Sequence, residues 1–171
     1  MDTTIQAALI AGVVALVGSA LSNFGAEMYK RHRDAAALAG GLVGELRSYV
    51  TPVSQLIDVL PKLIEIARGG QVAPLPRMKR PTSPVYESRV GDLGLLGPAL
   101  AERVAYVHGM IEAFRNMMEA AIAPEVTAKE QEIALAAALD LVRRAHLEAT
   151  PLIAALHRFA AREPLEPLEP L

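Results

Sequence analysis

Between Thr3 and Ala26 the chain carries no charged side chain, and Ile5 to Phe24 consists mostly of Ala, Leu, Ile and Val. A helix rises about 1.5 Å per residue and a bilayer core is about 30 Å thick, so about 20 such residues suffice to cross it. The run reads as a membrane anchor. Asp2 stands before it, whereas Lys30, Arg31 and Arg33, with His32 among them, follow it. Retention of Lys and Arg on the cytoplasmic side predicts an N-terminus outside and everything after about Tyr29 inside, with Tyr29 at the interface. Gly18 and Ala20 resemble a small-residue cleavage pattern, but a secretory signal has a basic region before its apolar core, and here that region is acidic. The expected location is the bacterial inner membrane, crossed once.

Removing the anchor from the 171 residues leaves one domain of ordinary size. A net charge of -2 and 4% aromatic residues, none of them Trp, supply neither a general attraction to nucleic acid nor a base-stacking platform, so nucleic acid is not an expected partner. The lack of Cys excludes disulfides, thiolate catalysis and thiolate zinc sites, and fits a reducing cytoplasm. Abundant Ala and an excess of Arg over Lys match high-GC bacterial coding. The chain divides into an anchor at 1–29, a helical cytoplasmic domain at 30–162 with a Pro-rich basic loop at 71–84, and a Glu-Pro-Leu repeat tail at 163–171.

The expected fold is all-α: a single N-terminal transmembrane helix followed by a cytoplasmic bundle of three to five helices. Leu38, Leu42, Leu46 and Tyr49 recur at helical spacing, so the anchor continues into the cytoplasm as one long helix. Gly40, Gly41 and Gly44 weaken it, by about 1 kcal/mol each relative to Ala, but their spacing suits close helix contact. Thr51-Pro52 has the form of an N-cap followed by Pro at the first helical position, which opens a helix with Leu56, Ile57, Leu60, Leu63, Ile64 and Ala67 on one face. Pro61 should bend that helix and Gly69-Gly70 should end it.

Beyond the loop, Ser83-Pro84 opens a short helix with Val85, Tyr86, Val90 and Leu93, closed by Gly94. Gly97-Pro98 opens a longer one, whose stripe of Leu100, Val104, Val107, Ile111, Phe114 and Met118 runs to about Ile122. Thr127 and Glu130 fit a capping box for a last helix through Ile133, Ala137 and Leu141, kinked or split at Pro151. No segment alternates as a strand does. With its own caps and stripes, the chain from about Thr51 is expected to fold by itself.

The segment Val85 to Phe114, VYESRVGDLGLLGPALAERVAYVHGMIEAF, resembles one in small, uncharacterised bacterial proteins in which a transmembrane helix precedes a helical cytoplasmic part. The resemblance covers under a fifth of the chain. It implies the same architecture and no functional residue.

Candidate chemistry is sparse. His146 and His157 share a face if their helix is unbroken, and His108 could join them, but there is no HExxH, no Glu-x-x-His pair and no Cys, so no metal is expected. Glu87, Asp92, Glu102, Glu112 and Glu119 are spaced as on solvated helix faces, Glu112 pairing with Arg115. Ser48, Ser54, Ser83 and Ser88 lack a nucleophile elbow, and no glycine cluster fits a phosphate loop. No catalytic or cofactor-binding residue, no cofactor and no enzymatic activity are therefore expected.

Binding features are easier to name. Tyr29, Lys30, Arg31 and Arg33 suit a membrane surface, where a juxtamembrane cation is worth about 1 kcal/mol. Arg77, Lys79 and Arg80 form a second basic group, a possible contact for lipid or an acidic partner. Within the anchor Ala7, Ala11, Ala15 and Ser19 repeat every four residues beside Gly12, Gly18 and Ser22, while Ile10, Val14, Val17, Leu21 and Phe24 take another face; small residues let helices approach closely in lipid. The threefold Glu-Pro-Leu tail cannot be α-helical and reads as an extended acidic segment.

The function these features point to is a non-catalytic, membrane-anchored adaptor or accessory subunit that self-associates or joins a membrane complex. The alternative is a membrane-perturbing effector of phage or defence type, whose oligomerised helix forms a lesion; a tethered enzyme comes third.

Overall fold

The computed structural model describes the backbone of residues 3–75 and 82–163, and the side chains of these except at positions 3–15, 17 and 20. It holds four α-helices, α1 (Thr3–Arg68), α2 (Pro84–Arg89), α3 (Pro98–Ala121) and α4 (Ala128–Ala161), with a 3-10 segment at Val90–Leu96 and no strand among the described residues. The all-α expectation holds, and so does the continuation of the N-terminal helix into the domain.

The N-cap reading of Thr51 does not. α1 continues through Thr51-Pro52 and Pro61 to Arg68, and the Thr51 hydroxyl donates to the Arg47 carbonyl at 2.9 Å, a back-bond made inside a helix. Thr150-Pro151 repeats the device: the Thr150 hydroxyl donates to the His146 carbonyl at 3.1 Å, and α4 is not split. A helical Pro lacks an N–H and leaves the carbonyl four residues earlier without its partner. Pro52 and Pro151 are exposed, as are Ser48 and Leu147 four residues before them, so these carbonyls lie on the solvent side where they can be hydrated.

Other boundaries follow local chemistry. Gly70, at φ 83°, lets the chain turn away after α1, with the Gly69 N–H donating to the Glu65 carbonyl at 3.0 Å. Gly94 does not close the short helix. α2 passes into the 3-10 segment, and Gly97, at φ 80°, makes the turn into Pro98. The capping box of α4 is formed: the Thr127 hydroxyl accepts from the Glu130 N–H at 3.3 Å, and the Glu130 carboxylate accepts from the Thr127 N–H at 2.9 Å.

α4 is the middle helix, packed lengthwise on both α1 and α3, whose backbones do not approach each other closely. Its buried seam is Gln131, Leu135, Ala138, Val142, Ala145, Ala149, Leu152 and Leu156, at alternating steps of four and three. This corrects the expected face: Ile133 is 60% exposed. α3 shows the same step pattern on the expected stripe, from Leu100 through Val104, Val107, Ile111, Phe114 and Met118 to Ala121. α1 shows it from Ala35 through Ala39, Leu42, Leu46, Val53 and Leu60 to Ala67. A 3.5-residue repeat keeps a seam facing its partner over many turns, as in left-handed bundles.

The small residues on α4 let two neighbours approach it, and the leucines fill what remains. Each fully buried Leu, among them Leu42, Leu60, Leu135 and Leu152, contributes about 1.5–3 kcal/mol. Gln131 fastens the lower end, its amide donating to the Ala73 and Ala121 carbonyls at 3.1 and 3.0 Å and accepting from the Ala73 N–H at 2.6 Å. Of Gly40, Gly41 and Gly44, only Gly41 marks a close approach, since a Cβ there would lie 3.0 Å from Val85 Cγ1; Gly40 and Gly44 face open space.

The bundle thus begins at Ala35, not at Thr51. A fragment of residues 34–163 is expected to unfold cooperatively, whereas 51–163, lacking Leu38, Leu42 and Leu46, is expected to lose that cooperativity. Circular dichroism during denaturant unfolding distinguishes them, and equal stability of the two fragments would contradict the packing described.

Candidate functional site

Above the bundle, α1 has no buried side chain among the described residues. Every described side chain from Leu16 to Arg31 is exposed, and Leu16, Leu21, Phe24 and Met28 are 74%, 66%, 67% and 53% accessible. Gly18, Ser19 and Ser22 of the small-residue ridge belong to this arm and are exposed, and a Cβ added at Gly18 would meet nothing. Ala7, Ala11, Gly12 and Ala15 have helical backbone, but their side chains lie outside the described residues. Among the described residues no helix is long and apolar enough to cross a membrane, so the structure gives the expected transmembrane segment no support. Much of the apolar run from Ile5 to Phe24 lies on side chains outside that set.

Tyr29, Lys30, Arg31 and Arg33 form a collar at the foot of the arm, all exposed. Arg33 makes a loose pair with Asp34 at 3.7 Å, which at such exposure is worth little. Lys30 and Arg31 have no ion partner among the described residues. Arg77, Lys79 and Arg80 lie outside the described residues, as does the repeat tail beyond Glu163.

Sequence reasoning missed a buried polar clasp that ties the start of α2 to α1 and α3. Glu45, buried between turns of leucine, accepts from the Val85 N–H at 2.7 Å with Oε2, while its Oε1 lies 3.5 Å from His108 Nε2. The His108 ring stacks on Tyr86, centroids 4.0 Å apart and planes within 8°. The Tyr49 hydroxyl donates to the Thr82 carbonyl at 2.6 Å and lies 3.0 Å from Ser83 Oγ. Arg115, also buried, donates to Ser83 Oγ at 3.1 Å, pairs with Glu112 at 3.3 Å and places its guanidinium 5.5 Å from the Tyr49 ring centre. Glu112 with Arg115 was legible from their spacing; the rest requires knowing that α2 delivers the Val85 N–H to this point.

The clasp holds structure together and is not arranged for nucleophilic chemistry. Ser83 Oγ is engaged by Arg115 and Tyr49, and His108 faces Glu45 and Tyr86. Burial, and secondarily the Arg115 charge, push His108 down to about 4. The histidines are not gathered: His108 is in the clasp, His146 is half-buried on α4 and His157 is exposed. No group of three metal-binding side chains forms among the described residues. The carboxylates do not converge either, since Asp92 pairs with Arg89 at 2.7 Å, Glu87 accepts from the Ser83 N–H at 3.1 Å, and Glu102 and Glu119 are exposed.

Below the clasp, where α1 and α3 stand apart, lies an apolar groove of about 590 Å³ floored by α4. Val53, Leu56, Phe114, Met118 and Val142 line it, with Pro74 and Leu75 at its edge. No family model, no curated protein and no solved structure matches the chain. The resemblance of 85–114 to small bacterial membrane proteins therefore gains no family from these comparisons.

A titration tests the clasp. The folded state holds His108 near 4 and the unfolded chain near 6.5, so between these values the unfolded state binds more protons and stability falls as pH falls. One proton gives a slope of at most about 1.4 kcal/mol per pH unit, and above about 6.5 this group contributes no pH dependence. Denaturant unfolding from pH 7 to 4 is expected to show that slope in the wild type and to lose it in His108→Gln. Parallel profiles would show that His108 is not buried as described.

Proposed function

We propose that the chain is a non-catalytic, membrane-anchored helical adaptor. Its N-terminal arm lies in the bilayer with the N-terminus outside, and its bundle stands at the cytoplasmic face, acting through self-association or a partner subunit. The observation that carries this reading is the form of α1: one helix is wall of a packed bundle below Ala35 and, above it, an arm whose described side chains are exposed. Supporting it are the uncharged run from Thr3 to Ala26 and the collar of Tyr29, Lys30, Arg31 and Arg33 between arm and bundle. An ordered helix with Leu16, Leu21 and Phe24 in water would forfeit burial worth about 1.5–3 kcal/mol per large side chain, which lipid or a second helix would restore.

After cell fractionation the full chain is expected in the membrane pellet, released by detergent but not by alkaline carbonate. A cytoplasmic reporter fused after Leu171 should be active, and expression should leave the membrane potential intact. Carbonate release or a periplasmic C-terminus would overturn the anchored reading, and loss of membrane potential would favour a lesion-forming effector.

Association through the arm makes a separate expectation. Ser19→Leu should crowd an approaching helix and weaken crosslinking between copies several-fold, while Val14→Leu should do little. Single interhelical contacts in membranes average under about 1 kcal/mol, so partial loss is the expected size. Equal behaviour of the two variants would leave any assembly to the bundle.

A further inference from the structure

The seam of α1 outruns its partners. Counted back from Ala35 in the same steps, it reaches His32 and Met28, where, among the described residues, the end of α4 and the 3-10 segment remain beside it. What results is a notch of about 530 Å³ at the foot of the arm, bounded by Met28, Arg31, His32, Gly91, Gly94 and Phe159.

Its walls combine apolar and cationic groups in a particular way. Met28 and Phe159 are apolar, and the exposed Leu21 and Phe24 continue up the arm immediately above. Arg31 has no ion partner among the described residues, whereas the one acid at the notch, Asp92, is already paired with Arg89 at 2.7 Å. Gly91 and Gly94 have no positive φ, and a Cβ added to either meets nothing within 4 Å. Neither backbone conformation nor packing within the chain requires glycine there, and their lack of side chains keeps the notch open.

We propose that this notch seats the anionic headgroup of a phospholipid, its phosphate on Arg31 and its acyl chains along Leu21 and Phe24. The inference rests on the membrane reading and adds the lipid class. A guanidinium matches two phosphate oxygens at once, which an ammonium does not. The collar has three cations, fewer than the four to eight, or about that number, of a polybasic surface patch, so a seated lipid accounts better than diffuse attraction for a cation beside a cavity. Free phosphate would make no use of the apolar walls.

The test is native mass spectrometry of the full chain released from vesicles of phosphatidylcholine, with and without phosphatidylglycerol. The wild type should retain phosphatidylglycerol in preference, and excess inorganic phosphate should not displace it. Arg31→Gln should lower retention several-fold, Arg31→Lys should restore only part of it, and Gly94→Leu, which changes no charge, should lower it by filling the notch. Thermal unfolding of the Gly94 variant should match the wild type. Full retention in Arg31→Lys and Gly94→Leu, or displacement by phosphate, would overturn the seated lipid. So would insertion into both vesicles without preference, which leaves the anchor standing; failure to insert into either would overturn both readings.

Discussion

One continuous helix, α1 from Thr3 to Arg68, fixes the relation between arm and bundle. At about 1.5 Å per residue its 66 residues extend about 99 Å, roughly half of it within the bundle. No proline lies between Thr3 and Thr51, and Pro52 comes only after the seam is well packed. The arm's direction is therefore set by the bundle, and the collar and notch fall where packing stops. A hinge at Gly40, Gly41 or Gly44 would have uncoupled the two; instead Leu38, Leu42 and Leu46 bury this stretch against α4 and α3, and Gly41 receives Val85.

α4 supplies what α1 and α3 cannot supply for each other. Because the backbones of those two stay apart and the helices meet only through side chains, the bundle depends on one helix presenting small residues to both sides, with Ala138, Ala145 and Ala149 between Leu135, Leu152 and Leu156. The gap left between α1 and α3 is closed at mid-height by the polar clasp. Glu45, His108 and Arg115 are costly to bury, and their placement is tolerable because they meet the Val85 N–H, the Tyr86 ring and Ser83. Their expense brings definition: apolar packing alone would not fix where six residues of α2 dock.

Elements announced by local chemistry were legible. Thr127 with Glu130, Gly97 before Pro98, the Gly69-Gly70 stop and the stripe of α3 each rest on interactions within a few residues. Thr51-Pro52 misled because a Thr before Pro satisfies the same valences as an N-cap or as a back-bond to the preceding turn, and only burial of Val53 and Leu60 against α4 decides for a continuous helix. The face of α4 misled because its seam mixes alanine with larger residues, while Ile133 and Leu147 are exposed; hydropathy contrast is weakest where close packing demands small side chains. The clasp had no local signal, since Glu45, Ser83, His108 and Arg115 come together only through three helices. The continuation of the N-terminal helix into the bundle could be read from helical spacing, whereas the membrane crossing expected from its apolar length has no support among the described residues, and its ridge at Ala7, Ala11 and Ala15 lies outside the described side chains.

We propose that the exposed upper part of α1 is solvated by lipid, while the part below Ala35 packs against protein. Nitroxide labels placed singly at Leu21, Phe24, Tyr29, Arg33 and Arg47 of the full chain in bilayers, read by oxygen and nickel-chelate accessibility, test it directly. The account predicts high oxygen and low chelate access at Leu21 and Phe24, a crossover near Tyr29, and chelate access at Arg33 and Arg47. Chelate access at Leu21 and Phe24 equal to that at Arg47 would contradict it.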